Sequence, residues 1–225
     1  MPRLRSAVAL TAIIIAGTLG FQYLSARMSP VVTLPAPAID QPRPTTASID
    51  TAVLAGGCFW GVQAVFQHVD GVTSAVSGYT GGDLNAPTYN IVSTGMSGHA
   101  ESVRVTYDPS RVSYGTLLRV FFAVAHDPTQ LDYQGPDHGT QYRSAIFTGN
   151  DEQARIAKAY VAQLTTARTF SSPIVTEVTP LKTFHPAEDY HQDYATKHPY
   201  VPYIVINDAP KVARLKKTMP ALYRN

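Results

Sequence analysis

A single cysteine, Cys58, is the chain's whole capacity for covalent bracing. An intrachain disulfide and a multi-cysteine zinc site are both impossible, so the chain has to hold its shape by burying a core of its own. It has the means: 44% of its 225 residues are hydrophobic and 15% charged, against roughly 25% charged in an ordinary globular domain. That balance excludes disorder and coiled coil. The formal net charge of +2 comes from residues 1–50, which hold four arginines against two aspartates, while residues 51–225 are balanced. A neutral body of that size is expected to be one domain, and without a basic patch no nucleic-acid partner is expected.

Arg3 and Arg5 precede an uncharged run from Ser6 to Ala26, apolar at its centre, and Arg27 follows. The run is long enough to cross a bilayer, and basic residues ahead of it favour export with the body on the non-cytoplasmic side. Residues 1–27 are therefore expected to be a signal anchor or signal peptide. The anchor is favoured because Leu24, two before Ala26, spoils a small-x-small cleavage site. The protein would then be membrane-anchored, facing the periplasm or cell exterior, or secreted if the leader is cut. Prolines at 30, 35, 37, 42 and 44 make residues 28–50 read as an extended linker that lifts the body off the membrane.

Residues 51–225 alternate strand-like and helix-like segments without internal repeat. Thr51 to Ala55, Val72 to Ser77, Glu101 to Tyr107, Gln141 to Thr148, Pro173 to Leu181 and Tyr203 to Asn207 read as strands. Helices are expected at Phe59 to His68, after Ser113 as N-cap, from Asn150 to about Thr166 behind a capping box with Gln153, at His185 to Lys197, and at Pro210 to Met219. Gly78 to Gly98 is expected to be a loop. The order suggests an α+β domain with helices packed on a mixed or antiparallel sheet.

Gly56-Gly57-Cys58-Phe59-Trp60-Gly61 sits where a strand passes into a helix. Free N–H groups and the positive dipole end favour a thiolate there, and the glycines leave the sulfur open to a ligand. A cysteine buried as an inert small hydrophobe is the bland alternative. Phe59 and Trp60 are core anchors or the walls of a small apolar pocket; residue type alone does not separate the two. Period two puts Glu101 on the face of Val103, Val105 and Tyr107, where a carboxyl is protonated, paired, or turned out to solvent from the strand's first position. Kept neutral, it is a proton donor. Tyr89 and Tyr142 lie in polar loops and can donate to a developing oxyanion as readily as to a carbonyl. His185, His191 and His198 lack a ligand signature, so they read as solvent or helix-terminus histidines and no metal is expected. A Cys-His acyl hydrolase using His99 or His138, and an exported binding module, are the competing classes.

Four motifs, Gly57-Cys58-Phe59-Trp60-Gly61, Gly98-His99-Ala100-Glu101, Gly139-Thr140-Gln141-Tyr142-Arg143-Ser144 and Ala187-Glu188-Asp189-Tyr190-His191-Gln192, together resemble the peptide methionine sulfoxide reductases of the A type, in the family's order. The resemblance implies a two-layer α+β sandwich with a ferredoxin-like core, a catalytic reductase domain over residues 51–225, and reduction of the S epimer of methionine sulfoxide, free or in oxidised exported proteins. It implies Cys58 as nucleophile, Glu101 as acid, Tyr89 and Tyr142 as donors to the sulfoxide oxygen, Phe59 and Trp60 around the substrate methyl, and Asp137 in substrate contacts. It implies a monomer with no bound cofactor, served by an external thiol such as a thioredoxin-like donor or dithiothreitol. Two departures stand out. The loop that usually reads Asn-Arg-Gln-Gly-Asn-Asp is Asp132-Tyr133-Gln134-Gly135-Pro136-Asp137 here, and the recycling cysteines that many members carry near the C-terminus are missing.

Overall fold

The computed structural model describes residues 34–225, so the leader and the first linker residues lie outside the described residues. Its strands are β1 (Asp50–Gly56), β2 (Val72–Thr80), β3 (Ala100–Tyr107), β4 (Tyr133–Gln134), β5 (Asp137–His138), β6 (Ser144–Thr148), β7 (Glu177–Pro180) and β8 (His185–Pro186). The α-helices are α1 (Phe59–Gln67), α2 (Tyr89–Val92), α3 (Tyr114–Val120), α4 (Asp151–Thr166), α5 (Tyr194–Lys197) and α6 (Ala209–Thr218).

β1 buries Ala52 and Leu54 on one face and Val53 and Ala55 on the other. A strand apolar on both faces belongs inside a sheet, and β1 lies between β3 and β6, antiparallel to both. The full order is β7-β6-β1-β3-β2-β8, with only β6 and β7 parallel. Within it, β1-α1-β2-β3-α3-β6 with strand order β6-β1-β3-β2 forms the ferredoxin-like core. The Leu54 face joins Phe59 and Phe66 of α1, Leu117 of α3 and Tyr160 of α4 in the main core. The opposite face carries a small cluster around Val53, Ala145 and Phe147, covered by Leu181 and Phe184.

Both expected caps are made. Ser113 Oγ accepts the Thr116 N–H at 3.2 Å and Asn150 accepts the Gln153 N–H at 2.9 Å. The Gln153 side chain does not close a box on Asn150; it accepts from the Gly149 N–H at 2.9 Å and donates to the Thr51 carbonyl at 2.8 Å.

Several segments depart from the sequence expectations. Residues 34–49, expected to be linker, are extended but docked. Leu34 is buried, its carbonyl accepts from Arg119 at 2.9 Å, the Pro35 carbonyl accepts from Tyr160 at 2.9 Å, and Asp40 receives the Gly115 N–H at 2.9 Å at the start of α3. Prolines forbid helix and sheet pairing, but their carbonyls remain free to accept from the body. The expected helix at His185 to Lys197 is instead β8, a 3-10 turn at Asp189–His191 and α5. Asp193, at φ +60°, breaks it, since left-handed backbone cannot continue a right-handed helix. The expected strand at Tyr203 to Asn207 is a π-helical turn, Ile204–Asp208, running straight into α6; here tertiary context overrides β-branched propensity. The Gly78 to Gly98 loop contains α2, and Thr140–Tyr142 is a 3-10 turn ahead of β6. Among the described residues no helix is long and apolar enough to cross a membrane.

Candidate active site

The site begins at the turn from β1 into α1. Gly57 has φ +84°, and a Cβ there would lie 2.5 Å from the Gln134 side chain, so both conformation and space require glycine. Cys58 follows as the N-cap of α1 and is buried, its side chain making no cap hydrogen bond. The helix start does not leave a standing thiolate, as the dipole alone would suggest. Burial, then the Glu101 and Asp208 carboxylates, push the Cys58 thiol well above its ordinary value, and together they outweigh the Trp60 N–H and Lys211. Resting Cys58 is a neutral thiol.

Glu101 is buried on the Val103 face of β3, as alternation predicts, and its Oε2 accepts the Phe59 N–H at 3.0 Å. That bond ties the carboxyl to the residue after Cys58 and leaves Oε1 to carry a proton. Burial raises the carboxyl to about 8 against the lowering effect of the Phe59 N–H, and Asp137 and Asp208 add to the rise. At neutral pH that holds the Glu101 carboxyl protonated.

Tyr89 and Tyr142 are half-buried, and each hydroxyl is held protonated first by burial and next by Glu101, with Cys58 also acting on both. The third loop supplies Asp137, whose carboxylate accepts from the Tyr203 hydroxyl. Tyr203 in turn meets the Trp60 indole edge-on, with ring centroids 5.9 Å apart. All seven residues read from the sequence, Cys58, Phe59, Trp60, Tyr89, Glu101, Asp137 and Tyr142, thus belong to one constellation. Phe59 forms its inner wall, buried against Tyr79 and His191, while Trp60 forms the outer one, stacked on Tyr194 at 3.8 Å.

The fourth motif holds the others in place. Glu188 accepts from the Tyr89 N–H and the Tyr79 hydroxyl, each at 2.9 Å. His191, expected at a helix end or in solvent, is buried, and its Nδ1 accepts from Trp60 Nε1 at 3.2 Å. Gln192 brackets β2, accepting the Ser77 N–H at 3.0 Å and donating to the Ser77 carbonyl at 2.9 Å. Sequence reasoning missed these supports and Tyr194 because a regular helix over 185–197 would have turned their side chains elsewhere, and it missed Tyr203 because a strand was expected there. The one signal for Glu188, His191 and Gln192 was the motif spelling itself; Tyr194 and Tyr203 had none.

Neither histidine that an acyl hydrolase would use is placed as its base. His99 spends both ring nitrogens on backbone, at Gly82 N and Leu84 O, and His138 is exposed and stacked on Tyr133. Among the described residues no group of three or more His, Cys, Asp or Glu is placed to hold a metal ion.

The family model for peptide methionine sulfoxide reductase matches residues 50–222. The chain is 62% identical over 174 residues to the peptide methionine sulfoxide reductase MsrA 2 of Mesorhizobium japonicum, covering 77% of this chain and 89% of that protein. Among solved structures, methionine sulfoxide reductase A of Corynebacterium diphtheriae superposes with a TM-score of 0.60 at 37% identity, covering 78% of this chain and 89% of that one. Reduced Mxr1 of Saccharomyces cerevisiae does so with a TM-score of 0.58 at 32% identity, over 70% and 92%.

Proposed function

The chain belongs to the peptide methionine sulfoxide reductases, oxidoreductases acting on methionine sulfoxide, and from that membership we propose that Cys58 reduces the S epimer through a sulfenic acid. The observation that carries the reading is the bond from the Phe59 N–H to Glu101, which sets a protonated carboxyl beside the thiol at the start of α1. Cys58 sulfur attacks the sulfoxide sulfur, and the oxygen gains charge as that bond forms. Glu101 gives it a proton while Tyr89 and Tyr142 donate to it, and the thiol proton replaces the one Glu101 gave. The oxygen then passes to Cys58, the sulfur–oxygen bond of the substrate breaks, and methionine leaves. The sulfur–sulfur bond made in the attack breaks in the same step, so the products are methionine and a Cys58 sulfenic acid; substrate sulfur is reduced and cysteine sulfur oxidised by two electrons.

Sulfur at Cys58, oxygen at the donors and methyl between Phe59 and Trp60 are three fixed directions around a chiral centre, which supports selection of one epimer. With no second cysteine, an external thiol has to attack the sulfenate and pass through a mixed disulfide. We assign that role to a thioredoxin-like donor, with no bound cofactor and one protomer sufficing. The proposed substrates are free methionine sulfoxide and oxidised exported proteins, met outside the cytoplasm by a body that the leader exports. Assaying the two epimers separately with dithiothreitol tests the chemistry: turnover of S alone is expected, and reduction of neither would end the reading. A reductant-free reaction is expected to release about one methionine per enzyme and leave a dimedone-reactive Cys58. Protease added to intact spheroplasts should digest the body; full protection would exclude export.

A further inference from the structure

The C-terminal segment packs an ion pair, a buried Asp208 with a half-buried Lys211, against the helix that carries Cys58. Asp208 is fully buried at the end of the π-helical turn; its Oδ1 accepts from Lys211 Nζ at 3.3 Å, and its Oδ2 has no partner among the described residues. Both charged ends press on Gly61, in the first turn of α1. A Cβ at position 61 would sit 2.1 Å from Asp208 Oδ1 and 2.7 Å from Lys211 Nζ, so glycine there makes room for the pair. A buried carboxylate with one idle oxygen is expensive to keep, and a pair of this kind contributes little to stability over an apolar filling. Its placement against the catalytic helix points to electrostatics instead.

We propose that Asp208 and Lys211 are a positioning pair for the catalytic cysteine, two opposed charges wedged against Gly61 that together set the potential at the amino end of α1. The proposal deepens the reductase reading and rests on Cys58 being its nucleophile. The other titratable groups that face Cys58 come from every side: Glu101 of β3, which raises it, and Tyr89 of α2, Tyr142 of the 3-10 turn and Tyr203 beside the π-helical turn, whose hydroxyls Cys58 itself helps to keep protonated. Asp208 and Glu101 oppose a thiolate and Lys211 favours one, with Asp208 the stronger member of the pair at the sulfur. Removing one member unmasks the other.

The test is the pH dependence of Cys58 alkylation by iodoacetamide on the full chain. In Asp208→Asn the profile should move to lower pH, with alkylation at pH 8 faster by roughly threefold to tenfold; in Lys211→Met it should move to higher pH by a smaller factor. The double variant should fall between the two single variants, on the lower-pH side of wild type because Asp208 outweighs Lys211 at the sulfur. A role confined to packing would slacken α1 and shift both single variants the same way. Shifts of like sign, or an unmoved Asp208→Asn profile, overturn the proposal. If Lys211→Met does not fold, the near-isosteric Asp208→Asn decides alone. Alkylation needs no sulfoxide, so a wild-type enzyme that reduced neither epimer would defeat the reductase reading without touching this result.

Discussion

Cys58 and Glu101 stand on a strand-to-helix turn and a central strand, where the ladder between β1 and β3 fixes their separation. Trp60, Tyr89 and Tyr203 are steered from residues 185–211, where regular structure comes in short pieces and side chains do the fastening: Glu188 to Tyr89, His191 to Trp60, Gln192 to β2. Backbone ladders are cooperative and tolerant of side-chain change, whereas each side-chain fastening is one or two hydrogen bonds that one substitution removes. The reacting groups thus sit on the rigid half, and the groups that shape the pocket sit on the half that a few residues can retune.

That contrast can be broken at its strong end first. Cys58→Ser should abolish sulfoxide reduction with circular dichroism unchanged, because the turn owes its shape to Gly57 rather than to the sulfur; residual turnover above background would sink the mechanism. Glu101→Gln, next in size, should slow the single-turnover step by on the order of 10², the usual scale for a positioned acid. It should also move Cys58 alkylation to lower pH. The Glu101 charge, present above about pH 8, opposes the thiolate, and glutamine removes that opposition. An unchanged single-turnover rate at neutral pH would exclude Glu101 as the acid.

The fastened half should respond differently. Gln192→Leu strands the Ser77 N–H and should lower stability by ~1–3 kcal/mol in denaturant unfolding. It should cost roughly tenfold in kcat/KM through loosened pocket walls, while the Cys58 alkylation profile stays put. A moved profile would mean that the two halves are not separable. The smallest effect on turnover is expected from the docked segment: Leu34→Ala should cost ~2–5 kcal/mol for an emptied core position and leave kcat/KM where it was.

The same division explains what the sequence disclosed. The Glu101 strand was legible because period-two alternation is a backbone property, and the Cys58 turn because glycines mark where chain must bend. Ser113 and Asn150 announced their helices because an N-cap is a local bond. The 185–211 segment hid for the opposite reason. Its path depends on Gln63 and Ser77, residues more than a hundred positions away that receive Asp193 and Gln192. No window of sequence contains both ends of such a bond. The docked residues 34–49 hid likewise, since prolines advertise extension but not the carbonyl acceptors that Arg119 and Tyr160 find. Asp208 and Lys211 carried no signal in the sequence; the space they fill shows only against Gly61.

Trp60 is the chain's only tryptophan, and it lies face to face with Tyr194 while its indole N–H is committed to His191. Excited to the red of tyrosine absorption, the molecule therefore emits from beside Cys58 alone. A ligand entering beside Cys58 should change the intensity and wavelength of one unlabelled fluorophore, on the native protein and without a coupled assay.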